Sequence, residues 1–194
     1  MKSQQTDNSH FSDKVLIRVQ ALPIGTINVL ELFAGQGLIW KAVKSRTGRT
    51  IKTTRIDEKK ISSTIRGDNR KIIPNLDLSM YNIIDCDAYG NPYEQIKLMF
   101  ENKTLKSGTI VHFTFNRAGP GMPKRSILTN IGIGKHMVKK CPTLFSSLAY
   151  PAFLEYLRKN GVKRVWEVHN DTVGGKTGRR IGIYGYFIVA KDAR

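Results

Sequence analysis

Short runs rich in β-branched and aromatic residues alternate along this chain with segments of helical character, and that alternation confines it to an α/β sheet. Strands are expected at Val15 to Val19, Ile27 to Phe33, Thr50 to Ile56, Thr64 to Arg66, Tyr81 to Cys86, Thr109 to Phe115, Val162 to Val168 and Ile181 to Ala190. Several are apolar at successive positions, as strands covered on both faces are, so helices are expected on both faces of the sheet. These helices are expected at Leu38 to Lys44, Lys71 to Leu76, Pro92 to Asn102 and Ser147 to Asn160, the last stopped by Gly161. No helix separates the final two strands, and their connection, Asn170 to Arg180, is rich in Gly and charge. That predicts an antiparallel hairpin closing an otherwise parallel sheet. Residues 1 to 14 are polar and aperiodic and are expected to form a flexible tail, leaving 15 to 194 as a single domain with a long basic loop at 116 to 145.

With 40% hydrophobic content, 194 residues suffice to enclose one such sheet between helical layers. The 32 Lys and Arg against 15 Asp and Glu give a formal net charge of +17. A potential of that sign draws in polyanions and releases their counterions, which points to nucleic acid, although a basic surface also serves solubility alone. Of the two cysteines, Cys86 lies within an apolar run that reads as a buried strand, where disulfide geometry is hard to reach. A reducing, cytoplasmic setting is expected. No apolar run approaches the ~18 residues of a bilayer span, and Met1 to His10 is polar with no signal core, so neither membrane nor export is expected.

The strongest local signal is Val29-Leu30-Glu31-Leu32-Phe33-Ala34-Gly35-Gln36-Gly37, an apolar strand running into a glycine turn that opens a helix. Glycines there let the backbone turn sharply and approach a ligand, beside the free N–H groups of a helix start. A dinucleotide fingerprint needs a third glycine where Trp40 stands, which argues against NAD. The segment resembles the first motif of class I S-adenosylmethionine-dependent methyltransferases, an acid followed by Phe-x-Gly-x-Gly. The resemblance implies a Rossmann-like, mostly parallel seven-stranded sheet with that closing hairpin. It also implies that Glu31, Phe33, Ala34, Gly35, Gln36 and Gly37 hold the methionine end of the cofactor. Asp57, twenty residues after Gly37 and closing the second strand, stands where a carboxylate accepts from ribose hydroxyls. Glu58 beside it is an alternative, and a helix cap is the bland reading of Asp57. Asp68, with Asn69 beside it, follows the third strand where the family holds the adenine amine; a turn residue is the plain alternative.

Tyr81 to Pro92 is the most specific stretch, with Asp85 and Asp87 on one face at the carboxyl end of the fourth strand. Two acids buried together need a polar purpose, and Asp85 is placed with the cofactor candidates. Asp85-Cys86-Asp87-Ala88-Tyr89-Gly90-Asn91-Pro92 resembles the Asp-x-Asp-Pro-aromatic-Gly-small-Pro motif of tRNA guanine-N2 dimethyltransferases and, more loosely, the Asp-Pro-Pro-Tyr motif of amino-group methyltransferases acting on bases. The resemblance implies that Asp87 accepts a hydrogen bond from an exocyclic amine and that Tyr89 stacks on the base. It departs at Ala88, where both families carry proline, and at Asn116, which replaces an acid. Cytosine-5 chemistry is excluded because it needs a Pro-Cys nucleophile, whereas Cys86 lies between two acids inside the strand.

Arg117, Lys124, Arg125, Lys135, Lys139 and Lys140 in the long loop, and Lys176, Arg179 and Arg180 at the hairpin turn, are expected on the cofactor side, where they would track phosphates. Gly174-Gly175-Lys176-Thr177 lacks the first glycine of a phosphate-binding loop and precedes a strand, which excludes an NTPase. His136 and His169 have no second ligand at a metal spacing, so no metal is expected. The sequence thus predicts methyl transfer to an exocyclic amine of a nucleic-acid base, RNA ahead of DNA, with selectivity supplied by the loop, a partner protein or substrate shape. A protein or small-molecule acceptor, and a non-catalytic nucleic-acid binder on the same fold, are the alternatives.

Overall fold

The computed structural model describes residues 10–58, 64–88, 91–116, 134–140, 142–174 and 178–190. In chain order the elements are α1 (Phe11–Gln20), β1 (Ile27–Glu31), α2 (Leu38–Thr47), β2 (Ile51–Asp57), β3 (Ile65–Arg66), α3 (Asn69–Ile72), β4 (Ile83–Cys86), α4 (Tyr93–Glu101), β5 (Ile110–Asn116), α5 (Lys135–Lys140), α6 (Pro142–Lys159), β6 (Val165–Gly174) and β7 (Gly178–Ile188). Two 3-10 turns, Ile73–Asn75 and Leu78–Met80, lead from α3 into β4.

The seven strands form one sheet in the order β3-β2-β1-β4-β5-β7-β6. β1 to β5 pair in parallel, while β7 runs antiparallel to both β5 and β6. A dinucleotide-binding sheet ends on a parallel strand; here β6 and β7 form the expected antiparallel closing hairpin, with the reversed β7 inserted between β5 and β6.

The two faces of the sheet differ. One packs Leu30, Leu32, Ile84, Cys86, Val111, Phe113 and Phe115 against α4 and α6 and is apolar throughout. The other packs Ile27, Val29, Ile83 and Ile110 against Val15 of α1 and Trp40 and Val43 of α2, but only along the amino-terminal halves of the strands. Two residues further along, register partners on that same face read Arg55, Glu31, Asp85, His112, Tyr186 and Trp166 across six strands. The covered face therefore changes from apolar to ionisable at the carboxyl ends, where open α/β sheets bind ligands.

Val15 to Val19 is a helix rather than the expected strand. Its buried stripe comprises Lys14, Val15, Ile17 and Arg18, with Phe11 and Val19 packed beside it. Two positions of the stripe are basic, so in sequence the helical period breaks up and leaves an apparent β-branched run. Residues 11 to 14 accordingly belong to the fold rather than to a tail; residues 1–9 lie outside the described residues.

The expected loop at 116 to 145 is corrected in its second half, where α5 and the start of α6 are helical; residues 117–133 lie outside the described residues. Pro142, which reads as a breaker, occupies the first position of α6, where its missing N–H is no loss. At the far end Gly161, with φ 85°, donates to Arg158 O while Val162 donates to Leu157 O. This double cap holds Val162 and delays β6 to Val165.

Candidate active site

The glycine turn is built by backbone geometry that other residues adopt only with strain. Gly35 has φ 47° and Gly37 φ 64°, and the Gly37 N–H closes on Ala34 O at 2.7 Å. The φ is what demands glycine at Gly37; a Cβ there would also lie 2.8 Å from Arg55 Nε, the end of a flexible side chain that could shift aside. Gly37 is also the first boundary of α2, which begins without a capping side chain. The neighbouring strand end joins this turn: Gly35 N–H donates to Asp57 Oδ2 at 2.8 Å, and Ala34 N–H to Ile56 O at 3.3 Å. Ala34 is buried, Phe33 half-buried and Gln36 exposed.

Beside the turn lies a buried set of charges. Arg18 of α1 grips Asp85 with two hydrogen bonds, Nε to Oδ2 at 2.7 Å and Nη2 to Oδ1 at 2.8 Å, with side chains only 2% and 1% exposed. Trp40 Nε1 donates to the same Oδ2 at 2.6 Å. Burial alone would raise the Asp85 pKa, but Arg18 and Trp40 overcome it and hold the carboxyl below its usual range. Glu31 goes the other way. Burial and the adjacent Asp85 push it up to about 8, against the pull of Arg55 and Arg18. Arg55 Nε stands 3.5 Å from Glu31 Oε2, yet neither atom makes a hydrogen bond among the described residues. The contact is thus a loose ion pair that fails to offset desolvation, and the upward direction holds. His112, across β5 from Asp85, is buried with both ring nitrogens unpartnered among the described residues. Burial and the nearby Arg18 lower its pKa to about 3, so it stays neutral.

Asp87 follows β4 and faces the same cations. Lys14 Nζ is 3.0 Å from Oδ1, Arg18 Nη2 is 3.5 Å from Oδ2, and the Thr114 hydroxyl donates to Oδ1. The Ala88 N–H donates to Cys86 O at 2.7 Å, folding a three-residue turn around Asp87. Proline, which the resembling motifs carry there, has no N–H to make that bond. Tyr89 lies outside the described residues.

Other predicted residues have structural engagements. Asp68 caps α3, accepting from Arg70 N–H, and pairs with the Arg70 guanidinium, which lowers its pKa. Asn69 donates to Leu32 O at 2.7 Å and accepts from Gln95 at 3.0 Å, tying the end of β1 to α4. Glu58 is exposed after β2. Of the basic candidates, Arg117, Lys124, Arg125 and Lys176 lie outside the described residues. Lys135, Lys139 and Lys140 lie on α5, while Arg179 and Arg180 lie on β7 past the last β5 partner, Gly182 with Asn116. The sequence missed Lys14, Arg18, Arg55, His112 and Thr114 and gave Trp40 only a negative role. Lys14 and Arg18 stand four residues apart, one helical turn, but nothing local in the sequence marks the distant Asp85 and Asp87 as their partners.

No protein-family model matches this chain, and no curated protein matches it in sequence. Solved structures do match. TYW2 of P. horikoshii, in complex with MeSAdo, is similar over 91% of this chain and 62% of its own, at 13% identity and a TM-score of 0.53. A phosphoethanolamine N-methyltransferase of Haemonchus contortus, bound to phosphomonomethylethanolamine and S-adenosylhomocysteine, covers 98% of this chain and 59% of its own, at 10% identity and a TM-score of 0.54. The O-methyltransferase TomG of Streptomyces achromogenes, in complex with SAM, covers 98% of this chain and 84% of its own, at 11% identity and a TM-score of 0.53. This chain thus spans less than two thirds of the first two. At such identities the likeness is one of fold, and the fold is the Rossmann-like one of class I methyltransferases.

Replacing Arg18 with Met leaves Asp85 buried without its partner and is expected to destabilise the protein by roughly 3–5 kcal/mol in denaturant titrations at neutral pH. Asp85 is depressed in the fold, so its contribution is present above the unfolded value and fades as pH falls through the folded one. The deficit should therefore shrink below about pH 4. Glu31 has the opposite sign: the folded chain keeps a proton that the unfolded chain releases, so its contribution falls as pH rises from the ordinary carboxyl range toward 8. Glu31→Gln should be more stabilising at pH 8 than at pH 5 by about 1 kcal/mol or more. Equal effects at the two values would contradict the assignment.

Proposed function

We propose that this chain binds S-adenosylmethionine beside the glycine turn and uses it to methylate an exocyclic amine of a nucleic-acid base, RNA ahead of DNA. One observation carries the reading. A glycine turn hydrogen-bonded to the Asp57 carboxylate stands next to a second carboxylate group, Glu31 and Asp87, at the carboxyl end of a sheet with the methyltransferase strand order.

The residues fit such a cofactor. Gly37, at φ 64°, opens α2 without a capping side chain, which suits a close approach by a carboxylate. Glu31 Oε2, buried and without a hydrogen-bond partner among the described residues, suits an ammonium. Asp57 would accept from ribose hydroxyls. When bound, the sulfonium supplies a methyl group that is already activated, so positioning is what remains for the protein. Asp87 would accept a hydrogen bond from the acceptor amine, while Arg18 Nη2, 3.5 Å from Oδ2, would hold the carboxylate in place. Tyr89 would stack on the base. The basic residues of the 117–140 segment and of the hairpin would follow the phosphates and give affinity with little sequence information. SAM in TomG and S-adenosylhomocysteine in the Haemonchus enzyme, on the same fold, support the choice of cofactor.

A second reading, a nucleic-acid binder without turnover, is favoured by the engagement of Asp87 with Lys14, Thr114 and Arg18. Mass spectrometry of nucleosides from RNA and DNA incubated with protein and labelled cofactor separates the two. Methylated nucleosides are expected from the wild type, and Asp87→Ala should lower turnover about 100-fold or more while cofactor affinity stays within about threefold. Unchanged turnover in Asp87→Ala would remove Asp87 from the reaction, and no product with either nucleic acid would favour the binder.

A further inference from the structure

Lys14 is the residue of α1 that packing explains least. It lies on the buried stripe of the helix, where an apolar side chain would cost nothing, yet its side chain is only 11% exposed and ends in an ammonium. That ammonium is held on two sides, with a third group bracing one of them. Asp87 Oδ1 is 3.0 Å away, the Tyr184 ring centroid lies 5.0 Å away, within cation–π range, and the Thr114 hydroxyl donates to the same carboxylate oxygen. The walls come from one row of the sheet. Thr114 and Tyr184 are register partners on β5 and β7, and Asp87 follows Cys86, whose partner is Phe113, the residue before Thr114. A carboxylate, an aromatic face and a hydroxyl that fixes the carboxylate are what recognition of a primary ammonium requires.

We propose that Asp87, Thr114 and Tyr184 form an amine-binding subsite, that Lys14 is its resident occupant, and that the neutral amino group of the acceptor enters by displacing Lys14 and donates an N–H to Asp87 in its place, keeping its lone pair free for the methyl. The displacement step rests on the methyltransferase reading; the subsite itself does not. Lys14 lies in the first turn of α1. Its N–H bonds to the carbonyl of His10, which has φ 61° and supplies no capping hydrogen bond from its side chain. Arg18, locked to Asp85, also holds the Lys14 carbonyl through Nη1 at 2.8 Å, so the backbone at Lys14 stays in place. The Lys14 side chain can leave the subsite by rotating about its own bonds while Arg18 keeps the helix docked.

Chemical rescue tests the subsite without cofactor or substrate. Lys14→Ala empties it, and n-butylammonium at tens of millimolar should raise the Tm of that variant by about 2 °C or more, while n-butanol does not and the occupied wild type does not respond. Tyr184→Leu added to Lys14→Ala should abolish the rise. No rise, or an equal rise with n-butanol or in the wild type, overturns the subsite. Should Lys14→Ala not fold, acylation of the intact chain followed by peptide mass spectrometry gives the same answer. Lys14 should react at least about tenfold more slowly than exposed Lys52, and Tyr184→Leu should remove the difference; equal rates in the wild type overturn the proposal.

Displacement is read separately, with total RNA and labelled cofactor. Lys14→Met should lower the KM for RNA about threefold or more with little change in kcat, because the competing ammonium is gone. An unchanged KM alongside successful rescue overturns displacement and leaves a purely structural cage. Absence of transfer by wild type and variant alike, with rescue intact, overturns the enzymatic reading instead.

Discussion

A guanidinium buried against a carboxylate in the middle of the sheet governs the arrangement around it. Removing both charges from water costs several kcal/mol per ion, and the Arg18–Asp85 pair offsets that with two short hydrogen bonds and a third from Trp40. The three residues come from α1, β4 and α2, so the pair fixes how both helices lie on one face. Burial sets the neighbours, with the pair's charges added to it. Burial and Arg18 keep His112 neutral, and burial and the ionised Asp85 drive Glu31 toward protonation. Because Arg18 holds α1 in place, Lys14, one turn earlier, reaches Asp87.

The sheet divides its labour by face. Under α4 and α6 it is apolar along its whole length and rings pack edge to face, as Tyr93 does with Phe153 and Phe115. Under α1 and α2 the apolar rows stop at Val29 and Ile83, and the next row is charged. Three carboxylates and three cations in that zone would be a poor way to stabilise a fold, since well-packed apolar residues would serve as well or better. Their presence next to a glycine turn puts ionisable side chains at the carboxyl ends of the strands, where open α/β sheets bind ligands.

The parallel core was legible because β1, β4 and β5 are covered on both faces and declare themselves as apolar runs between glycine or polar breaks, while β2, with Lys52 exposed and Thr53 to Arg55 half-buried, was marked by its β-branched residues. The closing hairpin was legible from a connection too short and too glycine-rich for a helix. α1 was not, because its burial depends on Lys14 and Arg18 meeting acids 67 and more residues away, and no local period records a partner at that distance. The acids of the site stood out in sequence as costly groups to bury, whereas the side chains that answer them did not. Asn69 shows the reverse error: a polar residue after a strand resembles a ligand, but both ends of its amide are used to join Leu32 and Gln95. Ala88 gained meaning only from the backbone, where its N–H closes the turn around Asp87.

The account stands on the glycine turn and Asp57 acting as one cradle for an adenosyl ligand. Isothermal titration of the folded wild-type chain with S-adenosylhomocysteine, repeated on Asp57→Ala, measures that directly. Saturable one-site heat in the wild type, weakened about tenfold or more by loss of the carboxylate, is the predicted result. A flat titration of well-folded wild-type protein would contradict it.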